Sequence, residues 1–255
     1  MEDVNQKDAL AKFQKLIAGA PKESIVFFGG AGVSTESGIP DFRSAKGIFN
    51  QAYPYPPEVI VSHTFFEEHP KEFFEFYRAK FIHLDAKPNK AHLKLAELEA
   101  EGKLISVVTQ NVDGLHQKGG CKKVRELHGS VYRNYCLKCG KRYDLTPVLE
   151  ADKKAKEGKG DGIPRCSCSG IVRPDVVLYE EGLDQATMVE ALSDIQKAKI
   201  LIIAGTSLNV YPAAGLINAF RGETVVVINL EPSAQDMRIA NVCLPCKVGE
   251  VFGSL

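Results

Sequence analysis

Five short apolar runs punctuate the chain: "SIVFF" (24–28), "LISVV" (104–108), "VREL" (124–127), "ILIIA" (200–204) and "TVVVIN" (224–229). They are rich in β-branched residues and mostly do not alternate with polar ones, the pattern of strands buried on both faces of a parallel sheet. Helical periodicity fills several of the gaps, over residues 8–19, 89–101, 184–197 and 212–220. Gly19 and Pro21 close the first of these, and Asn89 and Pro212 are suited to start the second and the last. Strand, helix, strand in this order predicts an α/β domain.

Two segments break the rhythm. Residues 45–85 are rich in Phe, Tyr, Pro and His, with a helix predicted over about 70–84. Residues 131–172 hold four of the seven cysteines and the polar run "EADKKAKEGKGDG". Both are expected to fold as a smaller lobe, leaving 1–44, 86–130 and 173–255 as a discontinuous sheet domain. At 255 residues the chain has room for this arrangement.

Ligands of open parallel sheets bind outside the carboxyl ends of the strands, so what each apolar run leads into carries the chemistry. The segments are 29–43, 109–116, 128–130, 205–212 and 229–232, and in each the apolar strand hands over to Gly, Ser, Thr, Asn, Gln, Asp or His. Gly30-x-Gly32 begins like a dinucleotide fingerprint, but Thr35 stands at the third glycine position, and there is no Lys-Ser/Thr ending of a nucleoside triphosphate loop. From the loop alone, a phosphate cradle and a tight strand-to-helix turn are equal readings. Asn229 and Glu231 suit a ribose hydroxyl or a turn. Gly205, Thr206 and Ser207 suit phosphate or ribose contacts, or a helix cap. His128 shares the same edge with Asn111 and Asp113 and is the candidate general base; His116 ranks next.

Charge narrows the function classes. Lys+Arg and Asp+Glu balance at 32 each, which removes any bulk electrostatic drive toward nucleic acid or a membrane surface. The N-terminus reads as charged and amphipathic, not as a secretory signal, and no apolar run is long enough to span a bilayer, so a cytoplasmic protein is expected. In that setting close-set cysteines point to metal rather than disulfides. Cys136-x-x-Cys139 and Cys166-x-Cys168 suit a closed, tetrahedral, four-cysteine zinc site of structural type. Cys243 and Cys246 lack a second matching pair and are expected to be core or surface thiols.

Taken together, "GAGVSTESGIPDFR" (30–43), "TQNVDGLH" (109–116), "LHG" (127–129), the cysteine pairs, "RPDVVLYEE" (173–181), "GTSLNVYPAA" (205–214) and "NLE" (229–231) resemble the sirtuins, bacterial-type members in particular. These are NAD-dependent protein lysine deacylases, and the motifs run in order along almost the whole chain. The resemblance implies a Rossmann-like NAD-binding domain with a small lobe made of a helical insert and a zinc-ribbon module. It implies NAD as co-substrate, Zn2+ as structural metal and acetyl-lysine proteins or peptides as substrates, with no membrane or direct nucleic-acid partner.

Carried over residue by residue, the resemblance places NAD against Gly30, Ala31, Gly32, Thr35, Phe42, Arg43, Gln110, Asn111, Val112, Asp113, Gly205, Thr206, Ser207, Asn229, Leu230 and, on a C-terminal strand, Val248. His128 and Asn111 are the implied catalytic residues. The "RPDVVLYEE" strand is expected to pair with the extended substrate, with Val177, Tyr179 and Glu181 in contact with it. In the implied reaction the acyl oxygen displaces nicotinamide, and His128 activates a ribose hydroxyl to capture the acyl carbon. Water then frees lysine and 2′-O-acyl-ADP-ribose. Two departures stand out. Glu180 occupies a position where glycine is common, and Glu75 replaces the tyrosine that desuccinylating members pair with an arginine, here Arg78. Acetyl-lysine is therefore the expected substrate. Rival readings are a nicotinamide-dependent dehydrogenase and a zinc-ribbon NAD-binding regulator without turnover.

Overall fold

The computed structural model describes residues 2–255 except 43, 45, 46 and 52, with side chains from residue 6 onward. Nine strands are present among the described residues: β1 Ile25–Gly29, β2 Leu104–Thr109, β3 Val124–Glu126, β4 Gly129–Cys136, β5 Arg142–Tyr143, β6 Val172–Val176, β7 Ile200–Ala204, β8 Thr224–Ile228 and β9 Val242–Leu244. Six form one sheet in the order β3-β2-β1-β7-β8-β9, every pairing parallel. All five apolar runs lie in this sheet, and the order is that of a doubly wound dinucleotide-binding fold.

Burial of the central strands explains their composition. Every residue of β1 and β7 is buried. Successive side chains of β1 point to opposite faces: Ile25 and Phe27 enter one core with Phe13, Leu95 and Phe252, while Val26 and Phe28 enter the other with Leu127, Ile195 and Leu208. The helices Glu2–Ala18, Lys90–Ala100, Gln185–Lys197 and Val248–Phe252 cover these faces. Asn89 starts its helix as expected, in a reciprocal capping box with His92. The 212–220 pattern forms a 3-10 helix, Ala213–Ala219, instead of an α-helix.

A second sheet, β5-β4-β6, is antiparallel. Its lobe shares a separate core in which Ile48, Phe66, Phe73, Phe74 and Tyr77 pack with Val131, Val148 and Val176. The helix expected over 70–84 spans Pro70–Phe81. Arg78 on that helix reaches the cysteine-bearing segment: its Nε lies 3.0 Å from Asp152 Oδ1 and its Nη1 donates to the Gly162 carbonyl at 2.6 Å.

Two histidines are buried beside the sheet edge. His92 and His116 pack with ring centroids 4.7 Å apart. Burial pushes His92 down to about 4, against the opposing pull of Asp113, and holds His116 well below the ordinary imidazole value. A histidine whose folded pKa is depressed contributes stability in full above the unfolded value of about 6.5, and that contribution drains away as pH falls toward the folded value. The thermal midpoint is therefore expected to drop between pH 7.5 and 5.5, above most carboxylate titrations, with a shallower drop in His116→Phe. A flat midpoint across that window would contradict the buried neutral pair.

Candidate active site

The strand order reverses between β1 and β7, and the loops that leave these two strands meet in close contact. Gly30 N–H donates to the Ala204 carbonyl at 3.1 Å and Gly32 N–H to the Gly205 carbonyl at 2.9 Å. A Cβ at Gly30 would sit 2.7 Å from Thr206 Cβ, and one at Gly32 would sit 2.7 Å from Gly205 Cα. Gly205 has a φ of 60°, and a Cβ there would lie 2.4 Å from Val33 N. The glycines are thus required by the approach of two backbones. The result is a cleft edge of bare main chain that a pyrophosphate can approach closely.

A cavity of about 670 Å3 opens at this edge and extends beneath the small lobe. Gly30, Ala31, Gly32, Phe42, Gln110, Asn111, Val112, Asp113, His128, Gly205, Thr206, Ser207, Asn229 and Leu230 all line it, together with Val177, Tyr179 and Glu181. Segments far apart in sequence are cross-linked there. Gln110 Nε2 donates to Thr206 Oγ1 at 2.9 Å, joining the loops after β2 and β7. Asn229 accepts from Thr206 N–H at 3.1 Å and donates to the Thr206 carbonyl at 3.0 Å and Asp236 Oδ2 at 3.1 Å.

His128 follows β3 and immediately precedes β4. Its Nδ1 lies 2.9 Å from the Gln110 carbonyl, an acceptor only, so Nδ1 carries the proton and the neutral ring keeps its lone pair on Nε2. Burial lowers the His128 pKa, partly opposed by that backbone bond, which favours the neutral, basic form near pH 7. Gly129 is forced by the contact behind the histidine: at φ 78°, a Cβ would lie 1.9 Å from the Asp175 carbonyl oxygen.

Ser34, absent from the expected site, lies at its centre. It is 1% exposed, accepts from Asn111 Nδ2 at 3.1 Å and donates to Asp113 Oδ2 at 2.6 Å. Asp113 Oδ1 in turn accepts from Leu115 N–H at 2.9 Å. One hydroxyl therefore fixes both polar residues. The adjacent Thr35, which was expected to contact cofactor, is exposed, turns its hydroxyl to the Gly32 carbonyl and does not line the cavity.

The Sir2 family profile matches residues 30–212, which contain the glycine loop, the Asn111–Asp113 segment, His128 and the four paired cysteines. The chain belongs to the Sir2 family. Among curated relatives, an NAD-dependent protein deacetylase of Clostridium acetobutylicum is 51% identical, over 96% of this chain and 97% of that one. One from Clostridium perfringens is 52% identical over 97% and 98%. A solved Sir2 structure with a p53 peptide and NAD+ superposes with a TM-score of 0.81 at 38% identity, covering 96% of each chain. Another, Sir2 bound to acetylated peptide, has a TM-score of 0.82 at 35% identity over the same share of each.

Other expected Sir2 residues are placed less uniformly. Val248 is the first residue of the helix Val248–Phe252, not part of a strand, and is buried in the core outside the cavity lining. The nearby strand is β9, which contains Cys243. Arg43 lies outside the described residues. Glu181 lines the cavity, but its carboxylate is used internally: it pairs with Arg173 at 2.6 and 3.0 Å, accepts from Leu178 N–H at 2.9 Å and lies 2.8 Å from His63 Nδ1. Phe42 packs at ring distances of 5.2 Å and 5.8 Å against Phe49 and Phe81, giving the Sir2 cavity an apolar wall.

The sulfurs of Cys136, Cys139, Cys166 and Cys168 all lie within 4.8 Å of one another. Cys136 and Cys168 are 3.5 Å apart and Cys139 and Cys166 3.6 Å, close to the edge of a tetrahedron with Zn–S bonds of about 2.3 Å. The Cys168 N–H and the Tyr143 hydroxyl, 3.0 Å from the Cys166 sulfur, hold that thiol down at about 5. Four convergent sulfurs, with Cys136 and Cys166 held below the ordinary thiol value and Cys168 above it, fit a zinc ion, whose charge would draw the proton from each ligand.

Proposed function

We infer that the protein is an NAD-dependent protein lysine deacetylase, transferring the acetyl group of acetyl-lysine to ADP-ribose with release of nicotinamide. The observation that carries the mechanism is the placement of His128, its Nδ1 committed to a carbonyl, in one cavity with the glycine-lined cradle and the Asn111–Ser34–Asp113 chain. NAD supplies the electrophilic ribose carbon and the leaving nicotinamide. Gly30, Gly32 and Gly205, which carry no side chains, leave room for the pyrophosphate beside Ala31 and Thr206, and Ser207, Asn229 and Leu230 flank the adenosine half. Asn111 and Asp113, fixed by Ser34, orient the nicotinamide end. His128 Nε2 takes a proton from a ribose hydroxyl as that oxygen bonds to the acyl carbon. Phe42 excludes water from the reacting atoms.

The substrate strand supports the same reading. Tyr179 N–H donates to the Val61 carbonyl and the Tyr179 carbonyl accepts from His63 N–H, each at 3.0 Å. The helical insert thus pairs with this segment and takes up both main-chain groups of Tyr179, while the Val177 N–H is bonded to the His128 carbonyl; Val177 and Tyr179 line the cavity, where an extended peptide would meet them through their side chains. We further place the boundary between sheet domain and small lobe at 44/45, 85/86, 130/131 and 172/173, and the protein in the cytoplasm. No helix among the described residues is long and apolar enough to cross a membrane.

Arg78 bears on acyl preference. Its guanidinium is tied to Asp152 and Gly162 and does not line the cavity, so it supplies no cation to an acidic acyl chain. The test is mass spectrometry of an acetyl-lysine peptide with and without NAD, beside its succinyl counterpart. Free lysine, nicotinamide and O-acetyl-ADP-ribose should form only with NAD, at least about tenfold faster from the acetyl peptide. Reduction of NAD without nicotinamide release would favour a dehydrogenase, and faster desuccinylation would overturn the acyl assignment.

A further inference from the structure

Glu180 lines the cavity from the substrate segment with a φ of 76°, a left-handed conformation that glycine enters freely and other residues rarely adopt. Two bonds hold it there. Its Oε2 accepts from Thr64 N–H at 2.9 Å and from the Thr64 hydroxyl at 2.8 Å. Both bonds favour the ionised carboxylate. The neighbouring Glu181 is offset by Arg173 and His63; Glu180 has no cationic side chain bonded to it among the described residues. Two tyrosines also line the cavity while remaining open to solvent: Tyr179, 39% exposed, beside Glu180, and Tyr211, 70% exposed, on the loop after β7. A fixed carboxylate with aromatic side chains lining the same cavity is suited to an ammonium or guanidinium group. With a formal net charge of zero, the protein has no bulk field to outweigh a local carboxylate.

We propose that Glu180, with Tyr179 and Tyr211, selects acetyl-lysine peptides that carry a Lys or Arg within two residues of the modified lysine. The inference rests on the deacetylase reading and adds a substrate class to it. A solvent-accessible pair of this kind is expected to change kcat/KM by about two- to fivefold. Three acetyl-lysine peptides identical except for Arg, Gln or Glu beside the modified lysine test it, with nicotinamide release as the readout. Wild type should rank Arg over Gln over Glu, and 0.5 M NaCl should compress the spread.

Two variants isolate the charge. E180Q keeps an oxygen for Thr64, and E180G suits the observed φ; in both, the Arg-to-Glu ratio should fall to within about twofold. Because the ratio is internal to each variant, a general loss of activity cancels. Equal rates on all three peptides with wild type, or an unchanged ratio in both variants, overturns the inference alone. No turnover of any peptide by wild type overturns the deacetylase reading and this inference with it.

Discussion

His128→Ala is expected to lower kcat for deacetylation by about 10^2- to 10^4-fold, the range for removing a positioned general base, while NAD binding changes little. The asymmetry follows from the placement of the groups. The cradle that would hold the dinucleotide is built from main chain at Gly30, Gly32 and Gly205 and from the Asn229–Thr206 pair, none of which bonds to the imidazole. The imidazole's own hydrogen bond is to the Gln110 carbonyl, and its loss should cost about 1 kcal/mol of stability. The pH profile gives an independent reading. Burial lowers the His128 pKa, so the basic form survives below the ordinary value of about 6.5, and the acid limb of kcat/KM should fall at a lower pH than that. Retained deacetylation in His128→Ala, or an acid limb well above 6.5, would remove the histidine from its assigned role. Lost NAD binding would show instead that the imidazole supports the cradle.

The sheet was legible because its strands are buried on both faces, and a run such as "ILIIA" has few other physical uses. The weakest run, "VREL", yields a strand of only three residues, Val124–Glu126, with intermediate burial. The small lobe was legible as an interruption but not as a sheet, because β4 and β6 are stabilised by each other and by the cysteine cluster, and a linear pattern carries no trace of that pairing. Glycine and polar positions at the strand ends converge on one cavity. Individual roles depended on side-chain direction, which sequence does not encode. Ser34 and Thr35 are adjacent hydroxyls, and only the short 3-10 turns at Ala31–Val33 and Thr35–Ser37 bury one and expose the other. Likewise Glu180 and Glu181 are identical in type, yet one is spent on Arg173 and the other is held at the cavity by Thr64.

Removing the metal, by chelation or by Cys136→Ser, is expected to abolish activity without touching a reacting group. The core around the cysteines is small: Cys136, Cys166 and Val172 are its buried members, with Tyr143 and Cys168 packed against them. β5 has only two residues, so the ribbon has little besides the metal to hold it, and structural zinc supplies folding free energy directly. The damage is transmitted along one strand. β4 begins at Gly129, next to His128, and ends at Cys136, while its partner β6 pairs Val172 with Cys136 and Val176 with Gly129. Val177 N–H then donates to the His128 carbonyl at 3.0 Å. Freeing one end of this strand pair would loosen both His128, the proposed general base, and the proposed substrate strand at the other. A loss of about 4 kcal/mol would lower the thermal midpoint by roughly 8–16 °C, and activity should track zinc occupancy and return when zinc is restored to the wild-type apoprotein. NAD affinity should fall far less, because the cradle stands on the main sheet. Full deacetylase activity in protein shown to be metal-free would break this coupling, and a parallel collapse of NAD binding would mean that the two sheets do not hold their structure independently.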